Sequence, residues 1–467
     1  MMIRRMLTME FKVNPKLDAA LKALEQDMVE TLARWVRVPS VRAERSAENA
    51  PFGAEVRRAL EVAMADIERL GMKPRDIDGY CCDAQIGEGE NPLAVLAHLD
   101  VVPEGDGWTH MPYGAEIADG KMFGRGTSDD KGPGVAALFA MKAILDAGIE
   151  LKRPCRLILG CDEECGMQDL EYYEQKIGLP EMGFSPDAEF PLINTEKGIM
   201  QMTLNGSVED ARLISIACGT RPNVVPGTAV AVVTGDCRAE AAEAFEAADE
   251  RCCVETELVD GNTKIVVTGV PAHASTPEQG RNAAKMLIAL LNRLEIGGAP
   301  IALLDEAVGE GDAGEHLGIA GSDAVSGPLT INLGLLSVEA GKLSVTFDCR
   351  YPVFFDDRTI SATVAKRLAP AGLVLAPCEA SHPHHVPESS ELVQKLMAVY
   401  NGITGEQAKP FAIGGGTYAR HLKEGVAFGI LFPGEPELAH QADECIDLEN
   451  YVKAARIYAY AIAALCA

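Results

Sequence analysis

Residues 92–100 read Pro-Leu-Ala-Val-Leu-Ala-His-Leu-Asp. Six residues fit for a buried strand run straight into a histidine and an aspartate. A second segment repeats the arrangement, as Arg156-Leu-Ile-Leu-Gly leads into Asp162-Glu163-Glu164, and a further short strand, Pro191-Leu-Ile-Asn, comes after Asp187. Between the first two lies the glycine-rich loop Gly124-Arg-Gly-Thr-Ser-Asp-Asp-Lys-Gly132, followed by an apolar run over 132–147 ending at Ala147-Gly148. Strand, loop, helix, strand is the alternation of an α/β protein with a mostly parallel central sheet. Open sheets of that kind place their functional groups at the C-terminal strand ends.

The rest of the chain fits around this nucleus. Val56, Ala59, Leu60, Ala63, Ile67 and Leu70 keep helical spacing until Gly71. The texture changes near Gly198. Residues 199–206, 227–235 and 263–269 read as alternating strands before a helix at 281–294, and 328–334, 342–350 and 358–368 repeat strand, strand, helix. This predicts a separate α+β domain of two similar halves over 198–384, inserted into a first domain made of 1–197 and 385–467. The Gly- and acid-rich stretch 308–327 is expected to be exposed, and the tract His382, His384, His385 to be a surface linker. Helices at 388–400 and 448–465 complete the first domain, so that His440 returns to it from far along the chain.

A length of 467 residues with 47% hydrophobic content allows a large core and implies more than one domain. The net charge of −27 disfavours nucleic acid and anionic membrane surfaces. The stretch Met-Met-Ile-Arg-Arg-Met-Leu-Thr-Met-Glu-Phe-Lys lacks the apolar core of a signal peptide, and no apolar run reaches membrane-spanning length. Thirteen cysteines, an odd number, many in apolar segments, read as free thiols in a reducing compartment. These features point to a cytoplasmic protein.

The polar residues at the strand ends form a set. His98 can bind a metal through one ring nitrogen while Asp100, two residues on and on the same strand face, orients it; a polar strand end is the plainer alternative. Asp129 can bridge two cations, and either Asp129 or Asp130 can cap the following helix. Glu163 and Glu164 repel each other unless cations lie near them, so one reads as a ligand and the other as a general base. Asp187 and His440 would complete two coordination spheres. Imidazole and carboxylate donors suit Zn²⁺, with Mn²⁺ or Co²⁺ possible. Other chemistries find no support. Gly309-Glu-Gly-Asp-Ala-Gly314 matches a dinucleotide fingerprint in form but follows no clear strand and carries acids, and there is neither a Walker-A loop nor a nucleophile elbow.

These motifs resemble the dinuclear zinc peptidase family that includes carboxypeptidase G, the carnosinases, aminoacylase and succinyl-diaminopimelate desuccinylase, with PepV-type dipeptidases as the nearest likeness. The resemblance spans essentially the whole chain. It also rests on Trp108-Thr-His-Met-Pro-Tyr113, Asn223-Val-Val-Pro-Gly227, Pro271-Ala-His-Ala-Ser275, Phe347-Asp-Cys-Arg350 and Ala412-Ile-Gly-Gly-Gly-Thr-Tyr-Ala-Arg420. It implies that His98 and Asp187 hold one metal, Glu164 and His440 the other, and Asp129 both, with Glu163 as base, Asp100 orienting His98 and a cis peptide at Asp129–Asp130. It implies that 198–384 is a lid, that its His273 stabilises an oxyanion, and that Asn223, Arg350 and the backbone of Gly414, Gly415 and Gly416 bind the substrate's carboxylate. The expected activity is hydrolysis of dipeptides by a water held between two divalent metal ions, in a monomer whose doubled lid completes the site within one chain. An amide hydrolase of N-acyl amino acids or carnosine-like substrates, and a non-catalytic cation- or peptide-binding relative, are the alternatives.

Overall fold

The computed structural model describes residues 11–467; Met1–Glu10, most of the stretch read above for a signal peptide, lies outside the described residues. The chain divides into two compact units. Among the described residues the first comprises 11–194, Val386–Phe411 and Gly416–Ala467, the second Thr195–His385 and Ala412–Gly415.

The central sheet of the first unit has the order Pro74–Ile77, Cys81–Ile86, Cys155–Gly160, Leu93–His98, Met182–Ser185, Glu424–Ala427. The last four run parallel. The first two form an antiparallel margin, so the sheet is mixed around the expected parallel centre. The cause is local. Asp78-Gly79, with φ of 53° and 79°, forms the tight turn that folds one margin strand back on the other. Leu93–His98 is buried at every position, as a strand covered on both faces must be.

The helix predicted after the glycine-rich loop is Lys131–Asp146. Thirteen of its sixteen residues are buried, and it packs against Pro15–Val36 and Leu448–Cys466. A helix apolar all round needs such neighbours. Pro15–Val36 is absent from the periodicity reading above, although Leu17, Leu21, Met28, Leu32 and Trp35 form its buried stripe. The Asn14 side chain caps it by accepting from the N–H groups of Lys16 and Leu17.

The second unit is built on one antiparallel sheet in the order Cys253–Val259, Asn262–Thr268, Thr228–Thr234, Leu213–Cys218, Thr330–Glu339, Lys342–Tyr351, Gly198–Ser207, Val374–Leu375. The two expected halves meet where Leu213–Cys218 pairs with Thr330–Glu339. Gly198–Ser207, grouped above with the first half, pairs instead with Lys342–Tyr351 of the second. Alternation of apolar residues reveals which face a strand buries but not its neighbour. The 308–327 stretch is not simply exposed, because Leu317 and Ile319 are buried. His384–His385 is not a free linker but a short strand paired with Thr195–Glu196, with Thr195 Oγ1 2.9 Å from His385 Nδ1. Among the described residues no helix is long and apolar enough to cross a membrane.

The inner helix carries the loop of Asp129 at its N-terminal end, so its packing governs the first unit. Phe139 is fully buried on it. Phe139→Ala is expected to destabilise the protein by about 3–5 kcal/mol through the cavity it leaves. Urea unfolding followed by circular dichroism would show an earlier transition; an unchanged midpoint would contradict this packing.

Candidate metal centre

His98 closes its strand with a side chain that is 0% exposed. Its main-chain N–H donates to Asp130 Oδ2 at 2.9 Å, and its Nδ1 lies 2.9 Å from the Asp100 carbonyl oxygen. A proton on Nδ1 therefore has an acceptor, which leaves the lone pair on Nε2. That atom lies 3.0 Å from Asp129 Oδ1 and 3.6 Å from Asp187 Oδ2. It is buried and makes no well-aligned hydrogen bond. A nitrogen lone pair facing carboxylate oxygens is repelled unless positive charge lies between them.

A second group adjoins the first. His440 Nε2 is 2.9 Å from Asp129 Oδ2 and 3.0 Å from Glu164 Oε1. Asp129 thus turns one oxygen toward His98 and the other toward His440. The triads His98–Asp129–Asp187 and Asp129–Glu164–His440 each bring their donor atoms within 4.8 Å of one another and could each hold a metal ion. The peptide joining Asp129 to Asp130 is cis. All five expected ligands therefore gather within the first unit, from two strand ends, two loops and the turn after a third strand.

Several carboxylates serve differently from expectation. The strand ends at His98, so the two-residue alternation does not extend to Asp100. Asp100 Oδ1 stays 3.5 Å from His98 Nδ1, and it is the Asp100 carbonyl that engages the ring. The Asp100 carboxylate instead accepts the N–H groups of Glu163 and Glu164, both at 3.2 Å. It holds the acidic pair from behind. Asp130 occupies the N-cap position of the inner helix but makes no capping bond; its oxygen is given to His98. Asp169 Oδ2 accepts the Asp162 N–H at 2.9 Å and the Tyr418 hydroxyl, bracing the strand end before Glu163. Asp169 escaped the sequence reading, because bonds to backbone N–H groups leave no motif.

The electrostatics follow from this crowding. Burial opposes the charged form of His440, but Asp129 and Glu164 outweigh it and push its pKa up to about 11. His98 moves the same way against burial, under Asp100, Asp129 and Asp187. Glu164 is pushed up to about 7, first by burial and then by Asp129. Burial also raises Glu163 well above the usual carboxylate range; His98 opposes this, while Asp187, Glu164 and Asp129 add to it. A cluster that draws protons so strongly onto its imidazoles is equally a cage for cations.

The expected substrate residues lie in the second unit, apart from Gly416, which groups with the first. Within the second unit four of them are linked. Val224 pairs with His273, and the Ala274 N–H donates to the Asn223 carbonyl at 2.9 Å. A Cβ on Gly414 would come 2.7 Å from that of Ser275. Arg350 Nη1 donates to the Gly414 carbonyl at 2.8 Å, while its Nε and Nη2 engage Asp348. Arg350 is buried, so it fixes the glycine loop directly.

Residues 94–464 match the model of Peptidase family M20/M25/M40. The span starts within the strand of His98 and encloses both triads. A relative from Bacillus subtilis strain 168, named "Putative dipeptidase YtjP", is 36% identical over 453 residues, covering 94% of this chain and 97% of its own. A Staphylococcus haemolyticus relative with the same description is 33% identical over 459 residues, covering 95% and 97%. The crystal structure of human carnosine dipeptidase 1 superimposes with a TM-score of 0.60 at 15% identity, over 97% of this chain and 99% of that one. At that identity the likeness is one of fold.

Cation binding at the two triads must displace protons from His98 and His440. Affinity for Zn²⁺ is therefore expected to fall as pH falls, with protons released on binding. Calorimetry in two buffers of different ionisation enthalpy would read the release. Binding without proton release would show that the imidazoles are not ligands.

Proposed function

The chain belongs to Peptidase family M20/M25/M40, and from that premise we propose that it is a dipeptidase working with two divalent cations. The observation that carries this reading is the division of Asp129 between two triads, Oδ1 at 3.0 Å from His98 and Oδ2 at 2.9 Å from His440. His98, Asp129 and Asp187 would hold one cation, and Asp129, Glu164 and His440 the other. The mixed imidazole and carboxylate donors favour Zn²⁺, with Mn²⁺ or Co²⁺ as substitutes. When bound, such a pair supplies Lewis acidity toward the scissile carbonyl and toward water.

Glu163 is the base. Its carboxylate takes a proton from the attacking water and delivers it to the nitrogen of the leaving amine. Asp100, through the main-chain N–H groups of Glu163 and Glu164, sets where that carboxylate stands.

The second unit would act as the lid. His273 would donate to the oxyanion, and Asn223, Arg350 and the backbone of Gly414 to Gly416 would take the peptide's C-terminal carboxylate. Their linkage through Val224, Ser275 and Gly414 supports this part of the reading. A carboxylate clamp of this kind selects short peptides. The doubling of the second unit within one chain favours a monomer, and thirteen unpaired cysteines favour a cytoplasmic setting.

A panel of dipeptides, tripeptides and N-acetylated dipeptides tests the reading. Cleavage confined to free dipeptides, abolished by a chelator and restored by Zn²⁺ or Mn²⁺, is expected. Cleavage of the blocked substrates would reassign the protein as an acylase, and no turnover with any metal would leave a binding protein. Glu163→Gln should lower kcat by roughly 10²–10⁴-fold with both cations still bound. Near-normal turnover in that variant would remove Glu163 from its role.

A further inference from the structure

Glu444 has no part in the chemistry described so far, yet its side chain is fully buried. Its Oε1 accepts the N–H groups of Gly126 at 3.1 Å, Ser128 at 2.9 Å and Asp129 at 3.2 Å, and the Ser128 hydroxyl at 3.0 Å. Its Oε2 takes the Gly126 N–H at 3.1 Å and Arg125 Nη1 at 2.8 Å. Its own carbonyl accepts from the Gly124 N–H at 2.8 Å. One residue thereby holds the loop 124–129 from both main chain and side chain. That loop ends in Asp129, and Glu444 stands four residues beyond His440.

Arg125 extends the connection. Its guanidinium is also fully buried. Nη1 reaches the Gln441 carbonyl at 3.2 Å, beside His440, and Nη2 the Glu104 carbonyl at 3.1 Å, just past the strand end of His98 and Asp100. The Trp108 ring lies 5.3 Å from its central carbon. Three loops that leave the ligands His98, Asp129 and His440 are therefore fastened at one buried ion pair. A carboxylate suits this junction: one oxygen can accept several converging N–H groups, and the negative charge matches the guanidinium.

We infer that Glu444 is a positioning residue of the cation centre, which fixes the Asp129 loop against the His440 loop and so sets the spacing of the donors around the cation between them. The inference rests on the two-cation reading above. Glu444 need not touch a cation for this; it acts on the backbone that carries two of the ligands.

Glu444→Gln keeps the shape but replaces an acceptor oxygen by a donor and leaves Arg125 without its counter-charge. Glu444→Asp keeps the charge, but its shorter arm cannot serve Arg125 and the Asp129 N–H together. In each full-length variant, freed of metal by chelation, Co²⁺ alone is titrated by calorimetry and by its visible absorption. Hydrogen exchange at the 124–129 and 438–444 backbones and thermal unfolding are followed beside it. Expected are a cooperative unfolding transition, faster exchange in both segments, and Co²⁺ affinity weakened about 10–100-fold in Glu444→Gln, as for loss of other groups that orient metal ligands, with a smaller loss in Glu444→Asp. Wild-type affinity and spectrum in Glu444→Gln, even with a lowered melting temperature, would reduce Glu444 to a structural role and overturn the inference. So would unchanged exchange in the two segments, or failure of both variants to fold. If the wild-type protein binds no Co²⁺, the two-cation reading fails, and the exchange data still decide whether Glu444 holds the loops.

Discussion

The first unit is organised against the mutual repulsion of its own acidic groups. Asp129, Asp187, Glu163 and Glu164 share a half-buried space, and Asp187, Glu163 and Glu164 each feel the charge of others among them. Such a cluster is uncompensated unless cations or protons enter it. It can be held only by anchoring the backbone on which each side chain stands. The structure does this with a second set of carboxylates. Asp100 takes the N–H groups of Glu163 and Glu164, Asp130 that of His98, Asp169 that of Asp162, and Glu444 those of Gly126, Ser128 and Asp129. Acidic residues here divide by their partners. Those bonded to N–H groups hold the frame, and Asp129, Asp187 and Glu164 face imidazole.

This division explains what could be read from the sequence. His98, Asp129, Glu164, Asp187 and His440 each stand at the end of an apolar run or in a glycine-rich or short polar stretch, where a local reading sees them. The approach of His98, Glu164 and Asp187 follows from α/β alternation, which stacks strand ends on one side of a sheet; the choice of Glu164 over Glu163 as ligand was implied by the resemblance, and Asp129 and His440 stand on loops that alternation does not place. The roles of Asp100 and Asp130 did not follow. Two residues of separation suggested one strand face for His98 and Asp100, but the strand stops at His98. A helix N-cap was the natural place for Asp130, and it sits there without capping. Glu444 was out of reach because its partners are backbone groups more than 300 residues earlier, and any residue type can offer an N–H.

The second unit shows the same boundary between local and distant information. Leu213–Cys218 and Cys253–Val259 were missed, but the other five long strands lay close to where alternation put them. Their order did not, since Gly198–Ser207 crosses to the other half to pair with Lys342–Tyr351. The resemblance implied Arg350 as a substrate contact, and the structure shows that it also holds Asp348 and the Gly414 carbonyl. A buried guanidinium has five N–H donors to satisfy, so its first duty is to the loop it holds.

The two triads differ in what fixes them. His98 stands on a fully buried strand and is itself enclosed, whereas His440 lies in a loop at φ of 63° with its side chain 52% exposed. The sheet secures His98 in the first, although both triads share Asp129 and its loop. The second depends on loops, and those loops meet at Arg125 and Glu444. A buried ion pair of this kind is weak evidence for stability, because desolvation offsets its attraction. Its value here is geometric: charge and multiple donors define one arrangement where an apolar contact would permit several. The order that strands impose on His98 is thus continued beyond the strand ends, to the more open side of the centre, by hydrogen bonds converging on a single carboxylate.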